Sequence, residues 1–237
     1  MAKLFLGLDS STQSLSAVVI DLDTRKVVCE KSLNFDAEFP EYKTKNGVLS
    51  SRDPLVRHSS PLLWAAALDR LFAQLKKDGV ALGKILAVSG SGQQHGSVYL
   101  NEKAAETLAQ LDPQKSLVEN IAGIFSRKTS PIWMDSSTAK ECAEIRKKLG
   151  GIKFTASRTG SDTFERFTGP QIRKFYKTEP KAYEKTASIA LVSSFLASLL
   201  AGKIAPIDYG DGAGMNLMDI RRKNWNPDAL KATAPSP

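Results

Sequence analysis

Three apolar segments joined by short polar turns open the chain, and they constrain its fold more than any other feature. The segments are residues 3–8, 15–22 and 26–35, and the first turn is DSSTQS, residues 9–14. Alternating apolar residues and a high β-branched content are typical of strands. With connections this short, the three segments predict an antiparallel meander.

Helices and strands alternate after a polar loop at residues 36–60, which is long enough to be either functional or ordered against another part of the chain. The clearest helix is predicted between Ser60, a suitable N-cap, and Gly79, a suitable stop. A buried strand is expected at residues 84–90 and a strand-to-helix unit at residues 187–203. A meander followed by alternating helices and strands predicts an α/β domain with a mixed sheet flanked by helices.

Charge and composition exclude several classes of function. The net charge is +8, but the basic residues are interspersed with acidic ones, which is typical of solvated helix faces, so we expect no nucleic-acid partner. No apolar run approaches the roughly 18 residues of a membrane span, and the N-terminal apolar stretch is too short for a signal peptide. Cys29 and Cys142 fit a reducing compartment as free thiols. The expected location is cytoplasmic.

The turn after the first strand is the first candidate site. Asp9 stands at the strand end, followed by Ser11, Thr12 and Gln13. Hydroxyls and backbone N–H groups in a tight turn can hold phosphate oxygens, and a neighbouring carboxylate can hold a hydrated Mg²⁺. An ordinary hairpin turn accounts for the same residue types equally well. The P-loop spacing GxxxxGK[ST] does not occur in the chain.

The stretch SGSGQQHG, residues 89–96, is the second candidate site. It carries Gln93, Gln94 and His95, one of only two histidines, on a glycine-rich loop directly after a strand. Glycines allow the backbone to approach a ligand closely, and these side chains supply both donors and acceptors. Such a set suits a polyhydroxylated ligand. The alternative is a glycine-rich hairpin with a satisfied imidazole.

Two further stretches hold polar residues at element boundaries. Trp133 provides an apolar wall and Asp135 a carboxylate at a strand end, although a helix cap would explain Asp135 as well. Arg166, next to Glu165, could bind sugar hydroxyls or a phosphate, or form a surface ion pair. The glycine-rich stretch DYGDGAGMN at residues 208–216, with Asp208 and Asp211, is better explained as a turn than as a catalytic or metal site.

In this order, the motifs resemble the N-terminal half of carbohydrate kinases of the FGGY family, and among them the eukaryotic-type members that phosphorylate xylulose. The stretches that carry the resemblance are GLDSSTQSLSAVVID, LAVSGSGQQHGSVY, WMDSST, ERFTGPQI, LVSSFLASLL and PIDYGDGAGMNLMDI. They cover nearly the whole chain. The resemblance implies a ribonuclease-H-like domain of the actin-like ATPase type, with one sugar-binding FGGY domain over residues 1–230 and a disordered tail over residues 231–237.

The resemblance also implies a reaction, namely ATP-dependent and Mg²⁺-dependent phosphorylation of D-xylulose at its terminal hydroxyl. Asp9 matches the family carboxylate that helps to position Mg²⁺, through water, and the transferring phosphate. The phosphate-facing turn contributes Ser11, Thr12 and Gln13.

For the sugar, the resemblance implies that His95 and Arg166 bind the substrate. Gln94 stands beside His95 in the matching loop, and Asp135 is expected to line the same cleft.

One departure from the family pattern affects the expected activity. The family's general base is an aspartate in a GDN-like motif, and that motif does not occur in residues 1–237. We therefore expect this chain to lack the C-terminal ATP-binding domain and to be inactive alone. Without that domain, apolar surface would be exposed, and it would favour association with the missing domain or with another copy of the chain. The alternative is a non-catalytic sugar-binding or regulatory protein derived from such a kinase.

Overall fold

The computed structural model of the chain describes residues 3–235, and the three predicted meander strands form most of its main sheet. The twelve strands are β1 (Leu4–Ser10), β2 (Ser14–Asp21), β3 (Lys26–Asn34), β4 (Thr44–Lys45), β5 (Val48–Leu49), β6 (His58–Ser59), β7 (Ile85–Gly92), β8 (Ser97–Asn101), β9 (Ser130–Pro131), β10 (Thr186–Leu191), β11 (Met218–Asp219) and β12 (Asn224–Trp225). The strand order in the main sheet is β3-β2-β1-β7. The meander pairs antiparallel and β7 pairs parallel with β1, so the predicted mixed sheet is confirmed.

Helices fill the segments between the strands. They are α1 (Phe35–Glu38), α2 (Pro61–Lys77), α3 (Ala104–Ala109), α4 (Leu117–Ile121), α5 (Ala139–Lys148), α6 (Ile152–Thr159), α7 (Thr168–Thr178), α8 (Pro180–Tyr183), α9 (Val192–Ala201), α10 (Tyr209–Ala213) and α11 (Pro227–Thr233), with short 3₁₀ turns at Pro40–Tyr42 and Leu82–Lys84. Among residues 3–235, no helix combines the length and apolarity that a membrane crossing requires.

The main core lies between one face of the sheet and α2. Leu6 and Val19 point from β1 and β2 towards this core, and Leu68 and Leu71 are buried on α2. Ser60 occupies the N-cap position with an extended backbone, as predicted, but its side chain makes no capping hydrogen bond. The helix is therefore stabilised by the burial of its apolar stripe more than by its cap.

The loop at residues 36–60 is ordered against the turn that follows β1. Asp36 accepts hydrogen bonds from the Thr44 hydroxyl at 2.7 Å and from the Gly47 N–H at 3.0 Å. At Gly47, with φ of +75°, an added Cβ would collide with the Thr12 carbonyl oxygen. Only glycine permits this close approach, which braces the turn from outside.

Two expectations differ from the structure. The strand at residues 85–92 forms, but it is an edge strand paired only with β1, and its apolar Leu86 and Val88 are 63% and 44% exposed. Apolar content predicted burial, whereas no element in residues 3–235 covers these side chains. The expected tail also differs, because residues 231–233 belong to α11 and residues 236–237 lie outside the described residues.

Candidate functional site

The carboxyl ends of β1 and β7 lie side by side, because the two strands are parallel, and they open into a cleft of about 520 Å³. Ligands of α/β sheets bind at this type of edge. The cleft is lined by Asp9, Ser11, Thr12, Gly92, Gln93, Gln94, His95, Trp133 and Arg166. Six of the eight predicted site residues are therefore brought together, although they are up to 157 positions apart in the sequence (166 − 9).

Asp9 stands at the end of β1 with its side chain exposed, and its Oδ1 accepts a hydrogen bond of 2.6 Å from the Ser91 hydroxyl. Among residues 3–235, no three His, Cys, Asp or Glu side chains are grouped to hold a metal ion. Mg²⁺ keeps several waters and needs only one or two carboxylates when substrate phosphates complete its shell. The single exposed carboxylate of Asp9 fits an ion held in that way.

The turn after β1 is held by its own hydroxyls. Ser11 Oγ accepts a hydrogen bond from the Ser14 N–H at 3.2 Å, and the Ser11 N–H donates to the Ser14 carbonyl at 2.9 Å. Thr12 Oγ1 accepts a hydrogen bond of 2.8 Å from Trp133 Nε1 across the cleft. The Trp133 indole is thereby oriented as a wall, with 45% of the residue exposed.

His95 is half-buried and has a left-handed backbone, with φ of +65°. Its Nδ1 lies 3.1 Å from the Gly214 carbonyl oxygen, and its ring packs on Phe167 with 4.8 Å between ring centroids. Burial lowers the pKa of His95, and the Arg166 charge lowers it further, against smaller opposing effects of Gly214 and Asp211. The imidazole is consequently neutral at neutral pH.

Arg166 is exposed, and it lies beside the Phe164 and Phe167 rings. Its guanidinium carbon lies 5.7 Å from the Phe164 ring centroid and 5.9 Å from that of Phe167. Within residues 3–235 it forms no ion pair, so the alternative, a surface pair with Glu165, is not observed. Its donors are thus free for a hydroxyl or a phosphate.

Two predicted residues lie outside the cleft. Gln13 is exposed at the far side of the turn, where its carbonyl accepts a hydrogen bond from the Phe35 N–H at 2.8 Å. Asp135 was expected to line the cleft, but it is 1% exposed and belongs to the protein interior. A carboxylate after a strand has the same sequence signature in either position, so the sequence could not distinguish them.

Asp135 is a buried structural acceptor. Its carboxylate accepts hydrogen bonds from the N–H of Arg57 at 2.9 Å, from Gln171 Nε2 at 2.8 Å and from both the N–H and the hydroxyl of Ser137. Burial alone would raise the pKa of Asp135, but these hydrogen bonds outweigh burial and hold the pKa below its ordinary value. His58, the second histidine, lies beside it, with Nε2 3.6 Å from Asp135 Oδ2.

Trp133 and Gln93 belong to the stretches that were predicted as candidate sites, whereas Gly214 was expected only to lie in a turn. Trp133 and Gln93 both line the cleft, and Gln93 is only 9% exposed. Gly214 contacts the cleft through the His95 ring. The sequence indicated Gln93 as one of the donors and acceptors of the glycine-rich loop, whereas Gly214 has no side chain that could have indicated its role.

A second groove, of about 750 Å³, lies between α7, β10 and α11. Its walls include Ile172, Tyr176, Ile189 and Trp225, and charged side chains are scarce there. Convergent polar groups distinguish the cleft at the strand ends from this larger apolar groove.

Comparisons with known proteins identify relatives of the chain in sequence and in fold. The profile of the FGGY family of carbohydrate kinases, N-terminal domain, matches residues 128–237. Xylulose kinase 2 of Arabidopsis thaliana is 49% identical over 232 residues, covering 98% of this chain and 41% of the relative. Xylulose kinase of Rattus norvegicus is 43% identical over 230 residues, covering 97% and 43%.

The solved structures show the same fold. The crystal structure of xylulose kinase from Rhodospirillum rubrum superposes with a TM-score of 0.76 at 19% sequence identity, covering 99% of this chain and 41% of that one. The chain thus spans about two fifths of the length of the relatives it matches. By sequence, residues 128–237 match the N-terminal domain of the FGGY family of carbohydrate kinases, and nearly the whole chain is similar to part of the xylulose kinases.

Proposed function

We propose that the chain is the sugar-binding part of an ATP-dependent D-xylulose kinase. One observation carries the proposal: a single cleft is lined both by His95 and Arg166, which suit sugar hydroxyls, and by Asp9 with the hydroxyl turn after β1, which suits phosphate. The relatives supply the identity of the sugar, since they are named xylulose kinases.

In the proposed reaction, the 5-hydroxyl oxygen of D-xylulose forms a bond to the γ-phosphorus of ATP while the bond from that phosphorus to the β,γ-bridging oxygen breaks. ADP and xylulose 5-phosphate leave, and the hydroxyl proton passes to a base. Catalysis of this type relies on positioning and charge stabilisation. Enclosure of both substrates is therefore as important as any single side chain.

On the sugar side, His95 accepts or donates one hydrogen bond through its free ring nitrogen, and Arg166 donates several. Gln94 is exposed at the same loop and offers both a donor and an acceptor. Cation–π contacts of Arg166 with the Phe164 and Phe167 rings, at 5.7 and 5.9 Å from the ring centroids, favour this position of its guanidinium group and so lower the entropic cost of binding.

On the phosphate side, Asp9 would hold Mg²⁺, and Ser11 and Thr12 would face the transferring phosphate. Mg²⁺, when bound with ATP, supplies the positive charge that stabilises the transferring group. Gln13 and Asp135 are not included, because neither lines the cleft.

We expect residues 1–237 alone to bind D-xylulose weakly and not to phosphorylate it. No GDN motif lies in these residues, and the cleft is open to solvent. An open cleft admits water and cannot surround a sugar. The apolar side chains of Leu86 and Val88 are exposed, which supports the proposal that a second domain or another copy of the chain covers them. The cytoplasmic location remains a prediction.

The test combines binding and turnover. D-xylulose, other ketoses and polyols are titrated into the chain by calorimetry, and sugar-dependent ADP formation is measured with Mg-ATP. We expect binding that His95→Ala and Arg166→Ala each weaken by about tenfold, the cost of one lost hydrogen bond to a buried or charged partner. Arg222→Ala is the matched control, since that side chain is 86% exposed.

Binding without ADP formation supports the proposal. Turnover by residues 1–237 would contradict the expected inactivity, and equal affinity of all three variants for D-xylulose would contradict the assigned sugar site. The non-catalytic alternative needs no phosphate site at Asp9. It would be favoured by sugar binding that no nucleotide alters, together with an Asp9→Asn variant in which every measured property is unchanged.

A further inference from the structure

The Gly214 carbonyl fixes which nitrogen of His95 carries the proton. A carbonyl oxygen can only accept a hydrogen bond, and it lies 3.1 Å from His95 Nδ1. In the neutral ring, Nδ1 must then carry the hydrogen, which leaves Nε2 with a lone pair. His95 therefore presents an acceptor, rather than a donor, as its second ring nitrogen.

The backbone of His95 is held in an unfavourable conformation for this purpose. His95 has a φ of +65°, in the left-handed region that non-glycine residues seldom adopt. The surroundings must stabilise this conformation, and the imidazole contacts the Gly214 carbonyl and the Phe167 ring. Strain of this kind concentrates at ligand sites.

Gly214 also supplies space. A Cβ at this position would lie 2.7 Å from His95 Cε1 and 2.9 Å from His95 Nδ1. The backbone of Gly214, with φ of −83° and ψ of 8°, is one that alanine adopts without strain. Glycine is therefore required here by the imidazole ring and not by the backbone.

The short helix that ends at Gly214 is anchored to the strand side of the cleft. Ser193, at the start of α9, donates a hydrogen bond from its hydroxyl to Asp211 Oδ2 on α10. The same end of α9 lies against Gly92, where an added Cβ would be 2.7 Å from the Ser193 nitrogen. The carbonyl that holds His95 is thus fixed relative to the end of β7.

We propose that Gly214 is a positioning residue for sugar binding: its carbonyl holds His95 as the Nδ1–H tautomer, its missing side chain leaves room for the ring, and Nε2 accepts a hydrogen bond from a sugar hydroxyl. This inference rests on the proposed sugar-binding function. It adds the direction of the hydrogen bond, so the sugar must offer a hydroxyl proton at this point.

The experiment is ¹⁵N NMR of the imidazole nitrogens in the chain at neutral pH, with and without D-xylulose. The chain has two histidines, and His95→Gln identifies which signals belong to His95. We expect a protonated, pyrrole-type Nδ1 and an unprotonated, pyridine-type Nε2 in the free chain. We expect D-xylulose to shift Nε2 more than Nδ1.

Gly214→Ala is the test variant, and Gly123→Ala is its control, since nothing lies within 4 Å of a Cβ added at Gly123. We expect Gly214→Ala to change the His95 nitrogen shifts and to weaken D-xylulose binding by about tenfold, as for one lost hydrogen bond, while Gly123→Ala changes neither. The measurements on the unaltered chain stand even if Gly214→Ala does not fold.

An Nε2–H tautomer of His95 in the free chain overturns the inference, and so do unchanged nitrogen shifts and affinity in a folded Gly214→Ala variant. The expected tautomer combined with no response of His95 to D-xylulose overturns it in a different way, because the sugar-binding role itself then fails while the hydrogen bond to Gly214 remains.

Discussion

The buried histidine outside the cleft provides a stringent test of the structure. His58 Nδ1 forms a hydrogen bond of 2.8 Å with Thr129 Oγ1, and the His58 side chain is 16% exposed. Burial is the main reason why its pKa falls from 6.5 to about 4, and the Arg127 charge lowers it further. Asp135 raises the pKa, and Lys174 lowers it, by smaller amounts.

The sign and size of the effect on stability follow from this shift. Between about pH 6.5 and about pH 4, unfolded His58 is protonated and folded His58 is neutral, so the unfolded state binds more protons. The free energy of unfolding therefore falls as the pH falls through this window. With pKa values of 6.5 and about 4, acidification from neutral to about pH 5 removes about 2 kcal/mol, and the full loss is about 3 kcal/mol.

The assay is urea-induced unfolding at a series of pH values for the unaltered chain, His58→Gln and His95→Gln. A glutamine side chain does not titrate, so we expect the pH dependence of His58→Gln to be shallower by about 2 kcal/mol between neutral and about pH 5. The pKa of His95 is also lowered, which makes His95→Gln shallower in the same direction. Parallel curves for the unaltered chain and His58→Gln would refute the buried, neutral state of His58.

Three further outcomes are expected. Asp135→Asn should lower the free energy of unfolding by about 2–3 kcal/mol, because an amide group then faces hydrogen-bond donors in the interior; an unchanged denaturation midpoint would contradict this. Gly92→Ala should cost about 1–3 kcal/mol in the same assay, since its Cβ meets the backbone at the start of α9, while Gly83→Ala, with open space around the added Cβ, should cost less than about 1 kcal/mol. At neutral pH a thiol reagent should modify Cys29 well before Cys142. Cys142 is 4% exposed, and burial raises its pKa to about 11. The rates are measured by mass spectrometry of the labelled peptides, and equal rates for the two cysteines would contradict the burial of Cys142.

Local hydrophobic patterns in the sequence predicted much of the fold. Alternation in the first 35 residues predicted the meander, and the apolar stripe between Ser60 and Gly79 predicted α2 to within two residues at its end. These features depend on neighbours in the sequence, so the sequence suffices. The exposure of Leu86 and Val88 did not follow, because burial depends on which elements cover a strand and not on the strand itself.

The cleft was predictable where its residues follow strand ends. Asp9 and His95 both come at the ends of strands that pair in parallel, so their proximity follows from the order of the elements. The position of Asp135 depends on partners 78 and 36 positions away, Arg57 and Gln171, and no local pattern reports them. The burial of His58 was not predicted for the same reason, since nothing in the polar loop at residues 36–60 indicated that this side chain lies in the protein interior.

Three glycines explain how such an open cleft can hold its polar groups in place. Gly47 lies against the carbonyl of the turn after β1, Gly92 against the start of α9, and Gly214 against the imidazole of His95. In each case a Cβ would come within 3 Å of the neighbouring group, so close packing of backbone, and not a further side chain, fixes that part of the site. Sequence reasoning attributes glycines in polar stretches to turns. Because the same residues set the distances between the turn after β1, the end of β7 and the His95 ring, substitutions at them displace the site without removing any of its chemical groups.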